Sequence, residues 1–484
     1  MNFRITKTSY LQFLKCPAEF WLDFHEPLFA AAPITLEREH LRQQGYAVEQ
    51  LVRDMARFQS DGTALIEFQR TFQTAELAAR SDIVVTDKAT GDIDIYEIKA
   101  AGNLKEEHYD DVAFQMLVAE RVGFRIRRAH LVTMNSEYVR EGDLDVEQLF
   151  TVTDVTETVR PKLPVTEERI GKAFEYLASV PVPSLAEYCI DNKLDCRFIK
   201  RHFSDLPEYT VFDISYLQHD PRRQLLRQGI ISILDVPDNF PLGPKQRQQV
   251  DIAKSREIII NTDEIARRIG EWEYPLHFLD YETLCYAIPL WDGVKPFQQM
   301  CFQYSLDTIA RPGAELTHSE FLSHGDDWPP RALAEHLRDA FAGGIGTVFV
   351  WYEAFEKGRN EEMAAMFPDL ADFFIDVNAR TYDLMKIFSE NLYVHPDFKG
   401  KTSIKKVLPV LCPDLDYTKL GIGDGLTATI KWFRAATWKS LTEAERQQIF
   451  IDLLEYCALD TFAMVRIFEF LVSLPRPQAG VASA

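Results

Sequence analysis

The stretch His277-Phe278-Leu279-Asp280-Tyr281-Glu282-Thr283-Leu284 places two carboxylates two residues apart behind an apolar run. In an extended strand alternate side chains share a face, so Asp280 and Glu282 point the same way. Paired carboxylates repel unless a cation lies between them, and hard divalent ions such as Mg²⁺ take oxygen ligands of this kind. In a chain with 74 acidic residues one such triplet is weak evidence, and further acids strengthen it. Trp351-Tyr352-Glu353-Ala354-Phe355-Glu356 ends an apolar strand where a helix starts, which places Glu356 to face the same site, with Glu353 one turn earlier. In the last helix Tyr456 and Asp460 stand at i and i+4 and project from one face. Their neighbours Phe450, Leu453, Leu454, Cys457, Phe462 and Met464 are core residues, and an aspartate among them is unfavourable unless paired or metal-bound.

A second constellation lies upstream. Asp82 stands near the start of one strand-like run, and Glu97 and Lys99 flank Ile98 on the next, sharing one face. An acid followed by E-x-K suits one-step phosphodiester hydrolysis: the carboxylates hold a divalent metal and the lysine positions or polarises the attacking water.

The elements that must position these groups follow from periodicity. Residues 1–30 read as an amphipathic helix interrupted at Cys16-Pro17, and residues 36–58 as a second helix. Three alternating runs follow, the last two joined by a hairpin turn at Ala89-Thr90-Gly91-Asp92. HYDDVAFQMLVAERVGF reads as a helix carrying Gln115, and RIRRAHLVTMN as a strand. Residues 206–270 read as a helical connector. After HFLDYETL come two more strands, a helix over PPRALAEHLRDAFA and the strand GTVFVWY, and that β-β-β-α-β succession is how a ribonuclease H-like fold begins. ARTYDLMKIF, with Asp383, reads as a further helix, and 475–484 as a disordered tail.

At 484 residues the chain is too long for one core, its composition is that of an ordinary soluble globular protein, and its mixed strands and helices read as an α/β chain. No apolar run reaches about 18 residues and the N-terminus lacks a secretory signal, so a cytoplasmic location is expected. A net charge of −21 argues against a surface coated for nonspecific nucleic-acid binding, but local clusters exist, the largest being Lys399, Lys401, Lys405 and Lys406. Seven cysteines do not read as a disulfide framework. Cys285, Cys301, Cys412 and Cys457 read as buried thiols, whereas Cys16, Cys189 and Cys196 sit in polar or helix-end contexts.

The order of Cys16-Pro17 helix, acidic helix, Asp82, Glu97-Ile98-Lys99 and Gln115 resembles the PD-(D/E)xK nucleases of the RecB and CRISPR-adaptation type, over roughly residues 1–205. The resemblance implies metal ligation by Asp82 and Glu97, with Lys99 catalytic and Gln115 assisting. Glu49, following Gly45, stands where many relatives have a histidine, and is placed with the metal ligands. Ala119 replaces the tyrosine of the Q-x-x-x-Tyr motif. Such nucleases often carry an iron–sulfur cluster, which implies Cys16, Cys189 and Cys196 as ligands of a 4Fe-4S cluster, with His202 where a fourth cysteine is expected. Three cysteines and a histidine also suit structural zinc.

The later acids, Asp280, Glu282, Glu356 and the Tyr456/Asp460 pair, resemble the DEDD exonucleases of the tyrosine subtype. FLDYETL, YEAFEKGR, SIKKVLP and EYCALDTFAMV resemble more closely a bacterial family catalogued as domain of unknown function 2779, over about residues 275–470. EIKAAG and VTMNSEYVREGDL extend that likeness to the N-terminal half. The resemblance implies two-metal hydrolysis: Asp280, Glu282, Glu356 and Asp460 hold Mg²⁺ or Mn²⁺, Tyr456 orients or deprotonates the water, and the lysines neutralise phosphate charge. Glu353 takes the place usual for asparagine. The expectation is therefore a PD-(D/E)xK-like domain over 1–205, a connector over 206–270, and a ribonuclease H-like exonuclease domain over 271–474. Its substrate would be nucleic acid, DNA favoured over RNA. Two alternatives stand beside it: a binding or scaffolding protein with degenerate sites, and a phosphoesterase acting on small nucleotides.

Overall fold

Residues 3–30, 35–59, 62–180, 183–188, 196–325, 329–415, 417, 420–438 and 440–475 are described by the computed structural model, a mixed α/β chain. The segment 476–484, read as a tail from its sequence, lies outside the described residues. By contact the chain divides into two units, one of Met1–Glu208, Gln218–Ile231 and Tyr286–Gln298, the other of Tyr209–Leu217, Ser232–Cys285 and Gln299–Ala484.

The first unit is built on a six-stranded sheet of β1 (Ile5–Thr6), β2 (Ala64–Gln73), β3 (Leu77–Asp87), β4 (Ile93–Lys99), β5 (Ile126–Met134) and β6 (Phe150–Asp154). Its order is β1-β3-β4-β5-β6, with β2 also pairing to β3. The turn between β3 and β4 is held by Asp87, whose Oδ1 accepts from the amides of Ala89 and Thr90 at 2.8 and 3.1 Å. Gly91 there adopts φ +76°, a conformation that glycine reaches without strain. The β4–β5 pair is parallel and needs a crossover, which the helix Glu106–Val122 supplies. That helix is buried from Val112 to Ala119 and shares a core with Tyr10, Phe20, Ile95, Leu131 and Ile170. β6 is a strand the sequence pattern does not announce, since FTVTD is short and half polar.

The second unit carries a five-stranded sheet of β8 (Leu276–Cys285), β9 (Gln299–Ile309), β10 (Leu316–Leu322), β11 (Thr347–Val350) and β12 (Thr381–Asp383). A two-residue pair, β7 (Ile259–Ile260) with β13 (Tyr393–Val394), stands apart. In space the five strands run β10-β9-β8-β11-β12. The first three are antiparallel, and β11 is parallel to both β8 and β12. Helices cover both faces. Leu279 and Tyr281 pack with Leu333, Leu337, Met363 and Phe374 from the helices that follow β10 and β11. On the opposite face Phe278 meets Phe468 of the 31-residue helix Glu443–Ser473.

The ladder between β8 and β9 carries one irregularity. Glu282 pairs with Gln303 and Thr283 with Cys301, so Phe302 is an extra residue on β9. Cys301 then joins the Leu279–Tyr281 core, whereas Phe302 stacks on Trp432 of the helix Gly425–Thr437 at 4.4 Å. Asp383, expected in a helix, lies at the end of β12, because pairing of Thr381–Asp383 with Val348–Val350 overrides the helical spacing of ARTYDLMKIF.

Candidate metal centres

Asp280 and Glu282 emerge from one face of β8, as strand alternation requires, beneath the last helix. That helix is stitched to β9 by three contacts. Gln303 Nε2 donates to the Leu453 carbonyl at 2.8 Å, Ser305 Oγ meets Thr461 Oγ1 at 2.7 Å, and Thr461 Oγ1 donates to Asp307 Oδ2 at 3.0 Å. Since Gln303 and Ser305 are the ladder partners of Glu282 and Asp280, these contacts fix Asp460 over the acid pair. Oxygens of Asp280, Glu282 and Asp460 lie within 4.8 Å of one another, the one such metal-ready group among the described residues.

Glu356 joins them from the first turn of the helix Glu353–Met366. It is buried, and its Oε2 has no hydrogen-bond partner among the described residues. The helix start is held by Asp383, whose carboxylate accepts from the amides of Tyr352 and Glu353, both at 3.2 Å, and of Met385 at 3.0 Å. Tyr352 takes φ +114°, strain of about 1–3 kcal/mol that this cap sustains beside the site. Glu353 is held by Lys357 and Lys386.

The acids raise one another's pKa. Burial, then Asp460, Glu282 and Glu356, push Asp280 well above the usual carboxylate range. Burial and Asp460 do the same to Glu282, and burial lifts Glu356 to about 8. Burial also raises Asp460, opposed by Tyr417, Lys405 and Tyr456. A cation among these oxygens would remove both the repulsion and the orphaned lone pairs, so the residues present fit a divalent metal. Tyr456 is buried, its hydroxyl accepting from Lys405 Nζ at 2.9 Å, and burial with the neighbouring carboxylates drives its pKa up. Lys405 also donates to the Gly423 carbonyl at 2.7 Å, while Lys406 is exposed, Lys401 pairs with Asp213 at 3.2 Å, and Lys399 is half-buried in a left-handed conformation. Tyr417, absent from the sequence reading, donates to Asp460 Oδ1 at 2.6 Å, and Cys457 Sγ approaches Asp280 Oδ2 at 3.5 Å. Cys457 had a signal, being one residue from Tyr456. Tyr417 had none.

In the first unit Asp82, Glu97 and Lys99 are adjacent, and two further groups enter. Lys7 Nζ donates to Glu97 Oε1 at 2.6 Å, and Lys99 Nζ to the same oxygen at 2.9 Å and to Asp111 Oδ2 at 2.5 Å. Gln115, fully buried, donates to Glu97 Oε2 and Asp111 Oδ1, both at 2.8 Å, and accepts from Ser81 at 2.6 Å. Asp82 accepts from the Ile98 amide at 2.8 Å and from Gln69 at 3.1 Å. Gln69 in turn bonds Glu49 at 2.7 Å, and Glu49 pairs with Arg53 at 2.5 Å. Gln69 reaches both acids from φ +56°, a second strained residue at a second cluster. Burial and Glu97 lift Asp82 to about 7. Burial would raise Glu97 too, but Lys99 and Lys7 outweigh it and hold that carboxyl down at about 2. Asp111 sits four residues before Gln115 on one helix face, a spacing that could have found it, whereas Lys7 lies 90 residues from its partner.

Cys16 and Cys196 each cap a short helix, their Sγ atoms accepting from the amides of Glu19 and Ile199 at 3.5 and 3.4 Å. Those helices, Pro17–His25 and Arg197–His202, are tied together by Arg197, whose backbone amide bonds Glu19 at 2.9 Å and whose guanidinium bonds Asp23 at 2.7 Å. Burial and the proximity of Cys196 raise the Cys16 thiol to about 11. Cys189 lies outside the described residues, and the His202 ring packs against Phe198 at 4.5 Å.

Residues 277–403, the stretch from the first carboxylate pair to the lysine cluster, match the family described as Domain of unknown function (DUF2779). Separately, 221 residues are 27% identical to Uncharacterized protein UU173 of Ureaplasma parvum serovar 3, covering 41% of this chain and 31% of the relative. The chain thus spans about a third of the length of the curated relative it matches. No helix among the described residues is long and apolar enough to cross a membrane.

Proposed function

We propose that the second unit is a metal-dependent nuclease that hydrolyses phosphodiester bonds of nucleic acid, in the manner of the ribonuclease H-like DEDD exonucleases of the tyrosine subtype. The observation that carries the reading is the convergence of Asp280, Glu282 and Asp460 within 4.8 Å, with the buried Glu356, whose Oε2 has no hydrogen-bond partner among the described residues, beside them. The β-β-β-α-β succession and the order β10-β9-β8-β11-β12 support it. Asp280, Glu282, Glu356 and Asp460 would hold Mg²⁺ or Mn²⁺. When bound, such ions supply Lewis-acid stabilisation of the attacking and leaving oxygens and an activated water. The chain's own groups prepare the rest: Tyr417 and Tyr456 set the direction of the Asp460 carboxylate, and Lys405 brings a positive charge to the acids from the side of Tyr456. A phosphate approaching there meets that charge among largely buried groups, where it counts for more than in bulk water.

The test is cleavage of end-labelled single- and double-stranded oligonucleotides by Asp280→Ala in a Lys99→Ala background. The first unit is thereby silenced, and the reading requires loss of the remaining activity. Cleavage as fast as the Lys99→Ala parent would sink it.

For the first unit the reading is a PD-(D/E)xK-like nuclease site in which Asp82 and Glu97 hold the metal and Lys99 acts on the water. A second reading is favoured by one contact: Lys7 and Lys99 both occupy Glu97 Oε1, so the acid that would bind a cation is already neutralised. Under that reading the first unit binds nucleic acid without cutting it. Asp280→Ala alone separates the two, since residual Lys99-dependent cleavage supports the first and its absence the second.

A further inference from the structure

The second unit has a cavity of about 810 Å³ that none of the acids lines, within the usual range of small-ligand sites. Its walls come from the helix Pro244–Ser255, from residues 389–403, and from Tyr209 and Tyr216. Its floor is fixed. Gln249 Nε2 donates to the Tyr209 hydroxyl at 2.7 Å and the Asp213 carbonyl at 2.9 Å, while its Oε1 accepts from the Ser215 amide at 2.9 Å. Residue 400 has to be glycine: at φ +71° a Cβ there would stand 2.1 Å from Gln249 Nε2. The site is therefore preformed, and an occupant pays little to open it.

Its chemistry narrows the occupant. In a chain of 74 acidic residues no carboxylate lines this cavity, and Lys245 and Lys401 do. The apolar surface of Ile252, Ala253 and Val394 lies beside the hydroxyls of Tyr209, Ser389 and Ser403. Tyr216, also in the wall, is 92% exposed and held at φ +55°. A planar apolar body with polar edges and an attached negative charge matches all of these features, and a nucleotide has that composition. The chain itself links the cavity to the lysine beside the acids. Ser403 lines it, and Lys405, two residues on, reaches Tyr456, so at most about 7 Å of backbone separates the two positions.

We infer that this cavity is a nucleobase subsite for a single-stranded segment of the substrate, with Tyr216 as its stacking surface and Lys245 as the charge for the phosphates, Lys401 being held by Asp213. The inference rests on the nuclease reading and adds the strandedness of the substrate to it. A base in a duplex is stacked and paired on both sides and could not enter, whereas a single strand offers its bases to an aromatic face.

The test uses the full chain in EDTA, so that binding is read without cleavage, and a fluorescein-labelled single-stranded oligonucleotide. Tyr216→Ala is expected to weaken binding tenfold or more, the scale of one base–aromatic stack, and Tyr216→Trp to retain it. An abasic position scanned along the strand is expected to lower wild-type affinity at one register and to leave Tyr216→Ala indifferent there. Equal binding by wild type and Tyr216→Ala overturns the subsite. So does displacement by a free nucleoside monophosphate with no Tyr216-dependent binding of the strand, which would make the cavity a site for free nucleotides. Because Tyr216 is exposed, its variants do not threaten folding. Tyr216-dependent binding without cleavage in Mg²⁺ would remove the nuclease reading and keep the subsite, and cleavage with unaltered binding would do the reverse.

Discussion

Replacing Tyr456 by phenylalanine removes one oxygen and leaves the ring in place. In the structure that oxygen accepts from Lys405 at 2.9 Å and bonds toward Asp460. Hydrogen bonds to charged groups contribute about 1.5–3 kcal/mol each. Here the loss is smaller, because Lys405 keeps the Gly423 carbonyl and Asp460 keeps Tyr417. The expected cost is about 1–2 kcal/mol, which for a unit of roughly 250 residues lowers the thermal midpoint by about 2–8 °C. If the hydroxyl also holds the attacking water, its loss should slow single-turnover hydrolysis by roughly 10²–10⁴-fold. Oligonucleotide and metal binding should survive, since all four carboxylates remain. The assay is therefore paired: midpoint by calorimetry and rate under single turnover, both in the Lys99→Ala background. A lowered midpoint with an unchanged rate refutes the catalytic role and leaves Tyr456 as a strut for Lys405 and Asp460.

Glu356→Gln should stabilise the metal-free protein. With its carboxyl lifted to about 8, the folded state binds more protons than the unfolded one between about pH 4.3 and 8. Stability therefore falls as pH rises through that window, by roughly 3–5 kcal/mol. The glutamine variant should show a higher midpoint at pH 8 in EDTA and a flatter pH profile, and equal profiles would show that the charge is relieved otherwise. Saturating Mg²⁺ or Mn²⁺ at a hundred times Kd should add about 2.7 kcal/mol to the wild type at pH 8, and Asp280→Ala should lose most of this. Anaerobic purification should give a brown protein whose visible absorption disappears in Cys16→Ser, whereas colourless protein with neither iron nor zinc by elemental analysis would rule out both cofactors.

Much of the second site was legible because its signals are local. Period-two alternation put Asp280 and Glu282 on one face, and an i, i+4 spacing did the same for Tyr456 and Asp460, and the structure brings all four together. The groups that tune the two clusters were not legible. Tyr417, beside Asp460, lies outside regular periodic structure, and in the first unit Lys7 reaches Glu97 only through the fold. Asp383 was assigned to a helix on apolar spacing, but parallel pairing with β11 makes it a strand end, and from there it caps the helix that carries Glu356. Local patterns report which face a side chain takes. Contacts across the chain depend on topology, which no short pattern encodes.

The extra residue on β9 also bears on how this chain can change over evolutionary time. Upstream of Phe302 the strand runs in one phase and downstream in the other, so Gln303, Ser305 and Asp307 face the acids while Cys301 faces away. Deleting Phe302 itself would leave a regular ladder and lose only its stack on Trp432, whereas deleting a paired residue such as Ser305 would turn the stretch between the gap and the bulge over and bury Gln303 among leucines. Length variants should therefore be confined to the connection 286–298 and to the loops outside the two strands. In a collection of random single-residue deletions, folded survivors should be depleted at the paired positions of β8 and β9 far beyond what burial alone predicts.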